Sequence, residues 1–171
     1  IAHLGLSKKC IVLDLDNTLW GGIIGEDGFD GIHLGLTPPG NVFHEFQSHL
    51  KSLSDRGIIL AINSKNNFND AIRVIREHPH MVLKENDFAC MIINWENKVD
   101  NMKAISNQLN IGLDSIVFFD DDPVNREFMR KNLPEVTTPE LSSDSSELSK
   151  TLLEMNEFST FKITDDDLQR S

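Results

Sequence analysis

Two carboxylates stand one residue apart in Asp14-Leu15-Asp16-Asn17-Thr18, directly behind the apolar run Ile11-Val12-Leu13. Acids this close repel unless a cation or a proton sits between them. A small cluster of hard oxygen donors suits Mg²⁺. Three further polar positions follow the same plan. Ser64 closes the apolar stretch that begins at Ile58, Asp120-Asp121 close Ile116-Val117-Phe118-Phe119, and Lys98 opens a helical stretch. Phosphoryl transfer needs such a set: a nucleophile, a proton donor, groups that hold phosphate oxygens, a cation, and acids that hold the cation.

Positioning these groups requires strands that end together. Short apolar runs at 11–13, 58–62, 88–95 and 116–119 read as buried parallel strands, with a briefer one at 81–84. Helical spacing of apolar residues covers 41–56, 68–77, 99–109 and 124–133, and Gly57 stops the first of these. Strands alternating with helices predict an α/β fold, a parallel sheet covered on both faces. Open sheets of this type place chemistry at the carboxyl ends of their strands. The glycine-dense stretch at about 20–36 holds Asp27-Gly28, a hairpin-turn signal, and predicts a β-hairpin flap beside the first strand end. No block between the core strands is long enough for a separate cap domain. The expected division is a catalytic domain over 1–141, then a linker, final helix and polar tail over 142–171, with Asp165-Asp166-Asp167 in the tail.

With 171 residues the chain can bury a core, and its formal net charge of −11 argues against nucleic acid as a main partner. No apolar stretch approaches a membrane span, and no signal peptide is visible. Two cysteines far apart fit a reducing cytoplasm. A first residue other than Met predicts a piece of a longer chain. His33 and His44 read as surface or packing residues rather than ligands.

Asp14 to Thr18, Ser64, Lys98 and Asp120-Asp121 together resemble the four motifs of the haloacid dehalogenase (HAD) superfamily, over about residues 10–140. D-x-D alone is unspecific, whereas the ordered set is specific. The resemblance implies a HAD-like (Rossmannoid) sheet and Mg²⁺ as cofactor. It implies Asp14 as nucleophile, Asp16 as acid and base with its carbonyl on the metal, Ser64 on the phosphate, Lys98 as charge balance, and Asp120 and Asp121 as metal ligands, Asp121 directly. Several stretches further resemble the FkbH-like branch: Leu13 to Gly28, Ser64-Lys65-Asn66-Asn67, Ile93-Asn94-Trp95-Glu96-Asn97-Lys98, and Asp120-Asp121-Asp122-Pro123. Asp122 stands where that branch commonly has Asn, and either tightens the metal or caps the next helix. The branch implies a D-glyceryl transferase and phosphatase of polyketide pathways. Such an enzyme takes 1,3-bisphosphoglycerate and loads the phosphopantetheine thiol of an acyl carrier protein, as a domain of a larger synthase. Asn17, Thr18, Lys65, Asn66, Asn67, Asn94 and Trp95 are candidates for holding the substrate. Cys90 and Cys10 are the possible acyl acceptors, although Cys10 sits roughly 13 Å from Asp14 along a straight strand and both suit core packing.

Taken singly, each group has a plainer explanation. Asp16 and Asn17 could form a turn, Lys98 could be solvated, and Asp120 to Asp122 could cap the helix after Pro123. The competing functions are a plain HAD phosphatase on a small ester or a phosphoprotein, a receiver-like signalling domain, and an inactive docking module. A receiver would carry its phosphoacceptor on a later strand than its acidic pair.

Overall fold

The central strand of the molecule is the one that carries the paired aspartates. In the computed structural model, which describes residues 8–158, β1 (Cys10–Leu13) is flanked by β2 (Ile59–Lys65) and β4 (Ile116–Phe119), and β3 (Phe88–Asn94) lies outside β2. All pairings are parallel, and β1 is in register with Ile59 to Ile62 on one side and Ile116 to Phe119 on the other. Every residue of β1 and β4 is buried, which is why both read as unbroken apolar runs.

Alternation along the strands sends side chains to two separate cores. Ile11 and Leu13 face a cluster that includes Phe46 and Leu50 of α2 (Asn41–Asp55) and Ile75 of α3 (Phe68–Glu77). Cys10 and Val12 face the other, built on Met102 and Ile105 of α4 (Lys98–Leu109) and Met129 of α5 (Pro123–Asn132). α6 (Leu148–Leu153) lies against α2, and Leu148, Leu152, Met155 and Phe158 join the first cluster. The polar tail expected at 165–167 falls outside the described residues. Among the described residues no helix is long and apolar enough to cross a membrane.

Two sequence expectations change. Residues 81–84 form no strand, although Met81 and Leu83 are buried; the amides of Val82 and Leu83 instead donate to Gln47 Oε1 at 2.9 and 3.1 Å. The flap exists, but only its base is β. Gly21 and His33 exchange two backbone hydrogen bonds of 2.8 Å, while the tip is α1 (Ile24–Gly31). Local carboxylates explain the helix: Asp27 accepts from the Ile23 amide at 2.8 Å, and Asp16 accepts from the Ile24 amide at 3.0 Å. Gly28 then appears as a kink within that helix at φ 76° rather than as a hairpin turn.

Candidate active site

The carboxyl ends of β1, β2 and β4 meet the first turn of α4 on one margin of the sheet, and an open cleft of about 460 Å³ lies there. Asp14 follows β1 directly, and its amide donates to Phe119 O of β4 at 3.0 Å. Lys98 is the first residue of α4. Asn97 caps that helix by accepting from the amides of Val99 and Asp100, and Asn63 of β2 donates to the Lys98 carbonyl at 2.9 Å. These contacts aim a buried ammonium, 4% exposed, between two acids. Lys98 Nζ lies 3.1 Å from Asp14 Oδ1 and 2.5 Å from Asp120 Oδ2. Burial works against its charge, but Asp14 and Asp120 outweigh it and raise its pKa.

Asp14, Asp120 and Asp121 each bring a carboxylate oxygen within 4.8 Å of the others. One ammonium against three carboxylates leaves two charges unbalanced, the charge of one Mg²⁺. Burial and the neighbouring Asp14 push the carboxyl groups of both Asp120 and Asp121 above the ordinary carboxylate range. All three donors are hard oxygens, so the residues fit a magnesium ion. Asp120 already accepts from Lys98 and from the Asp122 amide at 2.9 Å, which leaves Asp14 and Asp121 the freer donors toward the cleft. A stability consequence follows. An acid whose pKa is raised on folding binds more protons in the folded state, so without metal the protein loses stability as pH climbs above the ordinary carboxylate range. Mg²⁺ should therefore raise the melting temperature more at pH 8 than at pH 5. Equal increments at the two pH values would contradict the assignment.

Asp16 points to the flap rather than into the acidic cluster. Its Oδ1 accepts from Trp20 Nε1 and the Ile24 amide, both at 3.0 Å, and its Oδ2 accepts from Asn66 Nδ2 at 3.0 Å. Burial raises its pKa against the pull of these donors. The resemblance gives the metal the Asp16 carbonyl, not this side chain. Lys65, Asn66, Asn67 and Trp95 line the cleft beside Asp14, Asp16 and Asn17, and the flap adds Ile23, Gly25 and Glu26. Trp95 is 66% exposed, yet its indole is held by Asn67 Oδ1 at 2.9 Å.

The other expected residues are placed in different ways. Ser64 is buried at the end of β2, with its Oγ 3.4 Å from Asn66 Nδ2. Thr18 is fully buried and its Oγ1 has no partner among the described residues. Asn94 is spent on structure, accepting from the Glu96 amide at 3.0 Å and from Asn101 at 2.8 Å, and it borders a neighbouring depression instead. Asn17 adopts φ 58° and accepts from the Gly22 amide at 2.7 Å, which ties the root of the flap. Asp122 caps α5 through Val124 N at 2.9 Å, the second of the two roles open to it. Neither cysteine is among the described residues that line the cleft. Cys10 lies in the core, its thiol pushed up to about 12 by burial and by Cys90. Cys90 donates to Gln108 Oε1 near the far end of α4 from Lys98, at 2.8 Å, and burial raises its pKa too.

Sequence reasoning missed Glu26 and Asn125, which line the cleft, and Asn63 and Arg126, which hold backbone behind it. No sequence signal singled out Arg126, whose partners include two backbone carbonyls.

Comparison with known proteins agrees with this geometry. The profile of the family described as NLI interacting factor-like phosphatase matches residues 9–167. No curated protein matches the chain. Among solved structures, the N-terminal part of the protein BF1531 from Bacteroides fragilis, containing a phosphatase domain complexed with Mg, is 47% identical over 89% of this chain, with a TM-score of 0.86. The chain spans 41% of that chain's length. A HAD family enzyme, BT-2542 from Bacteroides thetaiotaomicron, solved with magnesium and inorganic phosphate, shares the fold at 14% identity and a TM-score of 0.56, over 80% of this chain and 96% of its own. The match across almost the whole of the described chain makes this protein a member of the NLI interacting factor-like phosphatase family, on a HAD-like fold.

Proposed function

We propose that the chain is a Mg²⁺-dependent phosphatase that works through an aspartyl-phosphate on Asp14. The observation that carries this reading is the Lys98 ammonium 3.1 Å from Asp14 Oδ1 at the floor of an open cleft, with Asp121 beside it. The magnesium-bound phosphatase domain from Bacteroides fragilis supports the same cofactor. Asp14, Asp121 and the Asp16 carbonyl would hold the ion, with Asp120 behind them; when bound it neutralises charge on the phosphoryl oxygens and on the crowded acids.

In the first step an Asp14 oxygen attacks phosphorus, and the bond from phosphorus to the ester oxygen breaks. Asp16 gives its proton to the departing oxygen, a role suited to a carboxyl whose pKa burial has raised. In the second step Asp16 takes a proton from water, the resulting hydroxide attacks phosphorus, and the bond to Asp14 breaks, releasing phosphate. Lys98, 3.1 Å from Asp14 Oδ1, would orient the nucleophile for attack. Ser64, buried near the end of β2, and Asn66, buried just beyond it and lining the cleft, would hold the phosphate. Asn67, Lys65 and the fixed indole of Trp95 would contact the leaving group.

A second reading is transfer of a D-glyceryl unit from 1,3-bisphosphoglycerate to an acyl carrier protein. Among the described residues the short flap is what overhangs the open cleft, which favours this reading, because a phosphopantetheine arm could enter. Since Cys10 and Cys90 both face core, the carrier thiol itself would attack the acyl phosphate. Intact-protein mass spectrometry separates the readings. A phosphoryl increment on the enzyme after addition of a phosphate ester and Mg²⁺, with phosphate release, supports the phosphatase. A glyceryl increment on an added carrier protein supports transfer. Phosphate release with no enzyme-bound phosphoryl, even on rapid quench, would remove Asp14 as nucleophile.

A further inference from the structure

We propose that Arg126 is a positioning residue that sets the geometry of the acidic turn for magnesium, an inference that rests on reading Asp121 as a metal ligand. Arg126 stands in the first turns of α5 and is 3% exposed. A buried guanidinium ordinarily spends its forked donors on a carboxylate or phosphate. Here one nitrogen serves two consecutive backbone carbonyls: Nη1 donates to Asp120 O at 3.1 Å and to Asp121 O at 2.9 Å. The other terminal nitrogen, Nη2, donates to Glu140 Oε1 at 2.5 Å and to Leu141 O at 3.5 Å. Nε has no partner among the described residues.

Gathering two successive carbonyls on one nitrogen fixes both peptide planes of the Asp120–Asp121 unit. From that backbone Asp120 reaches Lys98 and Asp121 reaches Asp14. The same guanidinium fastens the segment after β4. Glu140 is held below the usual carboxylate range by Arg126, and Leu141 begins the wall of a small cavity that Asp121 and Asn17 also border. One side chain therefore sets the backbone of the metal turn and the wall beside it. A lysine side chain carries one nitrogen, so it cannot hold both carbonyls and reach Glu140 as the two terminal nitrogens of Arg126 do.

The test is calorimetric titration of the full chain with Mg²⁺, without substrate. Arg126→Lys and Arg126→Ala should weaken Mg²⁺ binding roughly 10- to 100-fold, as loss of a contact behind a metal ligand does. Glu140→Gln, which leaves both carbonyl contacts in place, should stay within about twofold of wild type, far below that range. Raising Mg²⁺ should restore kcat in the Arg126 variants with KM for the phosphate ester unchanged, while circular dichroism at low Mg²⁺ matches wild type, which separates weakened metal binding from loss of the folded fraction. If Arg126→Ala does not fold, Arg126→Lys carries the test. A folded Arg126→Lys that binds Mg²⁺ as wild type does overturns the proposal and leaves the metal reading standing. A wild-type chain that binds no Mg²⁺ overturns both.

Discussion

Asp14→Asn is expected to lower phosphate release by on the order of 10⁴-fold or more, because it removes the attacking oxygen anion and nothing nearby can replace it. The same substitution should not lower the melting temperature in Mg²⁺-free buffer. Asparagine keeps the volume of the side chain, and its carbonyl can still accept from Lys98, 3.1 Å from the present Oδ1. It also removes one charge from a cluster in which three carboxylates share one buried ammonium among the described residues. After burial, the charge of Asp14 is the main cause of the upward shift of Asp121, so removing that charge relieves repulsion. Malachite-green phosphate measurement and a thermal melt check the two halves. Turnover within tenfold of wild type would end the nucleophile assignment.

Lys98→Met has the opposite signature. Asp120 is fully buried and Asp14 nearly so, and both lean on this one ammonium. Breaking a buried ion pair from one side costs about 3–5 kcal/mol, since an uncompensated charge remains in low dielectric. Urea unfolding at pH 7 should show that loss. The variant should recover part of it as pH falls, because protonation of Asp120 removes the stranded charge. Adding Asp120→Asn to Lys98→Met should restore stability relative to the single variant, a coupling that a double-mutant cycle measures directly. A Lys98→Met protein as stable as wild type would mean that the ammonium contributes nothing to holding the acids.

These two residues were legible in the sequence for a physical reason. A parallel strand buried on both faces must be apolar throughout, so the first charged residue after it marks the sheet margin. Asp14 and Asp120 announce themselves that way, Lys98 opens the helix that follows β3, and the structure brings the three within hydrogen-bonding reach. Ser64 was legible in position but not in exposure, because β2 runs on through Lys65 and the hydroxyl stays inside. The flap misled because Asp27-Gly28 carries a turn signal whatever surrounds it. Its outcome depended on Asp16, which accepts from an amide eight residues away and so favours a helix start. Asn94 looked like a substrate ligand by type. Its partners, Glu96 and Asn101, became visible only once the chain had folded back on itself. Arg126 was hidden for a related reason: its targets are backbone carbonyls, and every residue has one.

The division of the sheet into two margins reaches beyond catalysis. Each connection that leaves a strand lies beside the cleft, whereas the returns from helix to strand lie opposite, among them the turn at Asn110, where the chain adopts φ 54°. That turn feeds β4, which spans four residues, about 13 Å, before reaching the acids. A fluorescent label or an added module grafted between Asn110 and Gly112 would ride on the blind side of the molecule. Cargo attached there can vary in bulk and charge without shadowing the entrance through which a phosphate ester arrives.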